Sequence, residues 1–223
     1  MIVRLHNLSA RFPTWKDTEA VTELMRICDI ANSGSTDTSK ADVEKAWRAH
    51  NFDLKTDAWV IITHKGLLIG YADVRQESSL EHLVCLVRIH PKYCERGIGT
   101  LFTLLIEERA RQLVWNVQPG KRVTLSVTIC VRNRSASHLL EREGYMSVKR
   151  FWRLSITDGD VYETFTVDLN VEAQDLFDVA NLTTRTGLYV ARQYEIYEKE
   201  LRPDAADCAD KVASNNAMEP QSV

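Results

Sequence analysis

The sequence has no apolar run approaching the roughly 18 residues that cross a bilayer, which excludes a membrane helix. Its opening, MIVRLHNLSARF, lacks the long apolar core of a secretory signal, so a cytoplasmic setting is expected. It has no CxxC pair. The cysteines, at positions 28, 85, 94, 130 and 208, are odd in number and irregularly spaced. That pattern suits neither a zinc site nor a disulfide framework, so no metal is expected. Cys85 and Cys130 lie in apolar runs and read as buried free thiols, which suits a reducing compartment. No excess of positive charge is present either. Lys and Arg total 28 against 31 Asp and Glu, a net charge of -3, so neither nucleic acid nor a membrane surface is an expected partner. Low-complexity runs and tandem repeats are also missing.

What remains is an ordinary globular composition, 44% hydrophobic and 26% charged, enough for a sizeable core. Val3 to Phe12 alternates weakly and reads as a first strand. Val21, Leu24, Met25 and Cys28 recur at helical spacing, with Asp17 or Thr18 as N-cap. Thr38 or Ser39 caps a second helix, Lys40 to Ala49. Strands are expected at Ala58–Thr63, Leu67–Arg75 and Leu83–His90. The last is a near-continuous apolar run of the kind that sits centrally in a sheet. A helix from about Thr100 to Asn116 carries an apolar stripe of Phe102, Leu105, Ile106, Ala110 and Leu113. Val123–Val131 is a buried strand, and Asn133 opens a short helix that Gly144 stops. Tyr145–Ile156 and Tyr162–Leu169 read as antiparallel strands turning at Asp158-Gly159-Asp160. Val171–Thr184 fits a helix or a loop, and Leu188–Leu201 a strand or a helix. Residues 203–223 read as a disordered tail.

Chemistry concentrates between the strand ending at His90 and the helix starting near Thr100. Cys94-Glu95-Arg96-Gly97-Ile98-Gly99-Thr100 stands at a helix N-terminus, where unpaired amides and a partial positive charge face outward. Glycines let those amides approach an anion, and Arg96 adds a full charge. Together they suit a phosphate or pyrophosphate. A P-loop is excluded because no Lys follows Gly99. A Rossmann turn is excluded because Phe102 stands where a third glycine belongs.

The segment VRIHPKYCERGIGTLFTLLIEERA resembles motif A of the GNAT superfamily of acyltransferases, Arg/Gln-x-x-Gly-x-Gly/Ala after a strand and a proline. Gly97 and Gly99 match its glycines, while Cys94 replaces the usual Arg or Gln. Asn133 to Tyr145 is similar to the family's motif B, and the two stand in the family's order. The resemblance covers about residues 3–169. It implies an α/β fold (mixed α+β) with a central, mixed, splayed sheet flanked by helices. Residues 1–169 would form the acyl-CoA-binding domain, 170–202 a C-terminal extension, and 203–223 the tail. Thr186–Leu201 also resembles the closing strand of a second repeat in mycothiol-synthase-like proteins, so the extension reads as a vestige of such a repeat or as an added strand.

The resemblance further implies an N-acetyltransferase that moves an acetyl group from acetyl-CoA to the primary amine of a small molecule by direct attack. Free backbone groups of Leu86 to Ile89 would hold the pantetheine arm, and a backbone amide among Val87, Arg88 and Ile89 would polarise the thioester. Cys94, Glu95, Arg96, Gly97, Ile98, Gly99, Thr100 and Asn133 would hold the cofactor's phosphates and its surroundings. Glu81 and His82 stand where the family places its base, with Asp73 a second carboxylate candidate. The family's general acid, a Tyr in motif B, is Leu140 here. Ser137, Tyr145 or water would replace it, or the protein would be a non-catalytic acyl-CoA-binding domain. Cys94 faces the expected pyrophosphate and is disfavoured as a nucleophile. His90 and His138 read as packing or surface residues. Trp15 and Trp47 could line an acceptor pocket, and Trp59 reads as core. The pairs Glu107–Arg111 and Glu141–Arg142 read as solvated helix faces. An edge strand near the C-terminus could support a homodimer.

Overall fold

The computed structural model describes residues 3–5, 7–36, 38–77, 80–156, 166–169 and 188–203. Among them, nine strands form one mixed sheet flanked by four α-helices. In chain order these are β1 (Val3–Leu5), β2 (Leu8–Arg11), α1 (Thr18–Ser33), α2 (Lys40–Trp47), β3 (Ala58–Thr63), β4 (Leu68–Gln76) and β5 (His82–Ile89). There follow α3 (Ile98–Val114), β6 (Val123–Cys130), α4 (Arg134–Arg142), β7 (Met146–Ile156), β8 (Thr166–Leu169) and β9 (Leu188–Arg202). The sheet order is β1-β2-β3-β4-β5-β6-β9-β7-β8, antiparallel throughout except for the pair β5–β6. The mixed α/β architecture is the one expected from the sequence.

Three local readings are refined. The single strand expected over Val3–Phe12 is a hairpin, because Asn7 at φ 72° reverses the chain between β1 and β2. Asp17 is the N-cap residue of α1 as expected, but its side chain makes no capping bond there. Its carboxylate closes a box with Thr14 and pairs with Arg11 at 2.7 Å. Leu188–Leu201 is a strand, and it is no appendage: β9 lies between β6 and β7 and pairs with both. The boundary expected at 169 therefore does not separate residues 188–202 from the sheet. Ser39 caps α2 as expected, its side chain accepting from the Asp42 amide. The expected Asp158-Gly159-Asp160 turn, the 171–184 segment and the tail after 203 lie outside the described residues.

A separate core fills each face of the sheet. On one face α3 buries Phe102, Ile106 and Ala110, spaced four apart, against Ile69, Ala72, Val74 and Cys85. The Phe102 ring lies so close to β4 that a Cβ at Gly70 would meet it at 2.9 Å. On the other face α1 and α2 bury Val21, Leu24, Val43 and Trp47 against Ala58, Val60 and Tyr71. Each such side chain contributes about 1.5–3 kcal/mol by leaving water. The two cores hold β4 and β5 between them, and the C-terminal half of β5 pairs with β4 alone.

Candidate functional site

The β5–β6 ladder runs from His82↔Thr124 to Cys85↔Val127 and ends there, although both strands continue. Main-chain direction along β5 follows from the bonds around it. His90 N–H donates to the Ile69 carbonyl and Glu77 N–H to the His82 carbonyl, so even-numbered residues turn toward β4. The Glu81 and Leu83 carbonyls accept from Thr124 N–H and Ser126 Oγ, so odd-numbered residues turn toward β6. Beyond Cys85 none of the described strands lies opposite, and the amides of Val87 and Ile89 face the gap. Their carbonyls accept from Arg88 Nη1 at 3.1 Å and Cys28 Sγ at 3.2 Å. The Arg88 main chain is turned to β4, opposite Tyr71, so only its side chain serves the gap. This corrects the expectation that residue 88 offers backbone groups there.

The gap opens into a cleft of about 1100 Å³ that reaches both faces of the sheet. At one end is the turn into α3. A short 3₁₀ turn, Pro91–Tyr93, is capped by the His90 side chain. Glu95 and Gly97 then take positive φ, 62° and 77°. Gly97 is the N-cap of α3, and among the described residues no side chain caps that helix. Its first amides are thus directed at the cleft with a partial positive charge behind them. A Cβ at Gly97 would meet nothing within 4 Å, so the space above it is open. Gly99 has a different task, because its Cβ would lie 2.6 Å from Leu139 Cδ2. That contact seats α4 against the turn.

Other expected members divide. Cys94, Glu95, Thr100 and Asn133 line the cleft. Asn133 also caps α4 through Ala136 N–H at 3.2 Å. Burial, then Glu95, pushes the Cys94 thiol up, against a nucleophilic role. The Ile98 side chain is buried in the core, so only its amide can serve a ligand. Arg96 stacks over Tyr93 at 5.0 Å and is not among the lining residues. In its place Arg142 lines the cleft, its Nη2 donating to Thr100 Oγ1 at 2.9 Å. Read as part of a solvated helix face, Arg142 is a site residue that sequence reasoning missed. Its partner in that pair, Glu141, accepts instead from the Tyr197 hydroxyl at 3.1 Å.

Across the sheet, on the α1 side, the cleft meets Asp73 and Arg75 of β4, Arg88 of β5 and Asp29 of α1. Asp73 is 1% exposed. It accepts from the Tyr71 hydroxyl at 2.6 Å and from Arg75 Nε at 3.1 Å, with Arg75 Nη2 also in close contact. Burial pushes the Asp73 carboxyl above its ordinary value, while Arg75 and, more weakly, Arg88 pull it down. Tyr71 is held by Trp47 Nε1 at 2.9 Å, which makes Trp47 a buried support rather than a pocket wall. Trp15 packs edge-on against Trp47, and Trp59 is core as expected.

Apart from Asp73, the side chains expected to act on protons, Glu81, His82, Tyr145 and Ser137, are elsewhere. Glu81 and His82 sit where β5 and β6 are still paired, Glu81 near Lys121 at 3.8 Å and His82 against Thr124 Oγ1 at 3.1 Å. Neither lines the cleft. Tyr145 is buried beneath α3, where desolvation and the nearby Cys85 and Glu107 push its phenol up. It does not reach the cleft either. Glu107 is no solvated surface residue. It is buried and joins Arg111 at 3.0 Å to Lys199 of β9 at 2.7 Å. Leu140, in the place of the family's acid, does line the cleft. Among the described residues no group of three or more His, Cys, Asp or Glu could hold a metal ion.

The chain is similar in structure to a GCN5-related N-acetyltransferase from Sphaerobacter thermophilus. The TM-score is 0.72 at 18% identity, over 91% of this chain and 98% of that one. It is also similar to a phosphinothricin acetyltransferase from Sinorhizobium meliloti in complex with AcCoA, with a TM-score of 0.55 and 14% identity over 90% and 91%. A spermidine N-acetyltransferase from Vibrio cholerae, in complex with CoA and spermine, gives 0.53 and 13% over 88% and 96%. The fold is therefore that of the GNAT acetyltransferases. No family sequence model and no curated protein sequence matches the chain.

Proposed function

We propose that this protein is an N-acetyltransferase that moves the acetyl group of acetyl-CoA to the primary amine of a small molecule by direct attack. One observation carries the reading: the free Val87 and Ile89 amides, the uncapped start of α3 and the Asp73 carboxylate all open into one cleft. Its volume suits a large ligand.

The amides of Gly97 to Thr100 and the guanidinium of Arg142 hold the pyrophosphate of acetyl-CoA, a helix N-terminus contributing about 0.3–2 kcal/mol to such an anion. The Ile89 amide orders the pantetheine arm. The Val87 amide, first beyond the end of the ladder, donates to the thioester oxygen as charge grows on it. Asp73 takes the proton that the acceptor nitrogen loses, and Tyr71 and Arg75 keep its carboxylate aimed. The raised proton affinity of the buried carboxyl favours that transfer. Nitrogen then bonds to the acetyl carbon, the carbon–sulfur bond breaks, and water returns a proton to the departing thiolate because Leu140 cannot.

The test is release of the CoA thiol from acetyl-CoA with a panel of primary amines. Release with any of them supports the reading. Tight acetyl-CoA binding without release would favour the second reading, a non-catalytic acyl-CoA-binding protein, which Leu140 in the cleft wall supports. The reading also includes a cytoplasmic setting and a homodimer formed through an edge strand. Among the described residues no helix is long and apolar enough to cross a membrane. The narrower kinship with mycothiol-synthase-like proteins rests on the Thr186–Leu201 resemblance alone.

A further inference from the structure

Four charged side chains from three elements meet on the α1 side of the cleft, and they are unequally engaged. Asp73 and Arg75 satisfy each other, and Arg75 also stacks over Phe52 at 4.9 Å. Asp29 spends one carboxylate oxygen on the hydroxyls of Thr36 at 3.2 Å and Thr38 at 2.8 Å. Its other oxygen is 3.9 Å from Arg88 Nε, too far for a hydrogen bond. The Arg88 guanidinium has five N–H donors. Among the described residues its only hydrogen bond is the one from Nη1 to the Val87 carbonyl. The side chain is 27% exposed and lines the cleft. An arginine fork left open in a cleft matches a planar anion such as a carboxylate.

Position separates this cation from the phosphate end. Leu86, Arg88 and Tyr71 share the α1 face of the sheet, whereas Val87 and Ile89 pack toward α3. Asp73 stands opposite Leu86, level with the point where the strands part. Arg88 is two residues further, about 6.8 Å along the strand. A compact amino acid, with a hydrogen bond of about 2.9 Å at its carboxylate, bridges that span.

We infer that the acceptor is a compact amino acid, its carboxylate held by Arg88 while its amine lies between Asp73 and the thioester. This rests on the acetyltransferase reading above and names the class of its acceptor. Arg88 sets specificity, and Asp29 keeps the guanidinium over the cleft without saturating it.

The experiment measures CoA release from acetyl-CoA with α- and β-amino acids, each beside its carboxamide and its decarboxylated amine. Free acids are expected to react, with kcat/KM at least tenfold above their carboxamides and amines. Arg88→Ala is expected to raise KM for the free acid at least tenfold and to leave acetyl-CoA binding within twofold, with Arg88→Lys intermediate. Equal or better turnover of the carboxamides or plain amines overturns the inference and leaves the acetyltransferase reading standing. Loss of acetyl-CoA affinity in Arg88→Ala also overturns it, by assigning that cation to the cofactor. No CoA release with any compound overturns both.

Discussion

Replacing Asp73 by Asn isolates the proton-accepting step. The amide keeps the side chain's shape and an oxygen for the Tyr71 hydroxyl, now 2.6 Å away, but cannot take up a proton. A positioned general base contributes about 10²–10⁴-fold, or about 2.7–5.4 kcal/mol at 1.36 kcal/mol per decade. The turnover number is expected to fall by that amount. Stability falls less. Breaking a closed buried ion pair costs about 3–5 kcal/mol, but the Arg75 side chain is 29% exposed and can turn to water, so about 1–3 kcal/mol is expected. The pH dependence has a defined sign. The folded-state value of Asp73 is raised by burial, so its contribution to stability is fully present below the ordinary value of 3.8 and is lost as pH rises through the raised value. The Asn variant lacks that dependence, and it also lacks the acid limb of kcat/KM that protonation of Asp73 produces. The assay is initial-rate CoA release across pH, with a thermal melt of each variant. A rate within threefold of wild type, with the acid limb intact, would refute the assignment. Glu81→Gln and His82→Gln are expected to leave both rate and pH profile unchanged.

Other expectations follow from single contacts. Gly99→Val drives a side chain into Leu139, 2.6 Å from the new Cβ, at an overpacking cost of about 1–3 kcal/mol. Both the melting temperature and acetyl-CoA affinity should drop. Arg142→Ala removes an exposed donor to Thr100, so calorimetry should show acetyl-CoA binding weakened by about 1.5–3 kcal/mol with little change in the melt. Glu107→Ala takes from Lys199 its carboxylate at 2.7 Å, but that side chain is 27% exposed and keeps the Glu143 carbonyl, so about 1–3 kcal/mol is expected in denaturant unfolding.

Most of the sheet and all four helices are legible in the sequence from local signals, an apolar periodicity or run in some and a capping residue in others. The apolar stripe of α3 and the run from Leu83 to Ile89 are examples. The phosphate turn is legible for the same reason: glycines at 97 and 99 are a local device that sequence spacing records. Asp29, Arg88 and Asp73 meet only through packing of α1 on β4 and β5, and no local pattern announces such a meeting. Glu81 and His82 are attractive for their place before motif A, but the continued β5–β6 pairing at that end keeps them from the cleft. Glu107 reads as a surface charge because helical spacing cannot foresee that β9 brings Lys199 beside it, and Arg142, which stays exposed, because spacing cannot foresee that α4 packs it against Thr100. Leu188–Leu201 was ambiguous since its alternation of Tyr, Arg, Glu and Lys offers no clear apolar face until its partners are known.

The central claim is that the gap between β5 and β6 and the turn at Gly97 together bind acetyl-CoA. Calorimetric titration of the wild type and of Gly97→Trp tests it most directly. Gly97 has φ 77°, and a side chain there would project into the open space above the α3 N-terminus at a backbone cost of about 1–2 kcal/mol. The account predicts saturable binding of acetyl-CoA to the wild type and its loss in a Gly97→Trp protein whose circular dichroism and melt show it folded. No binding to folded wild type, or undiminished binding to the folded variant, would contradict it.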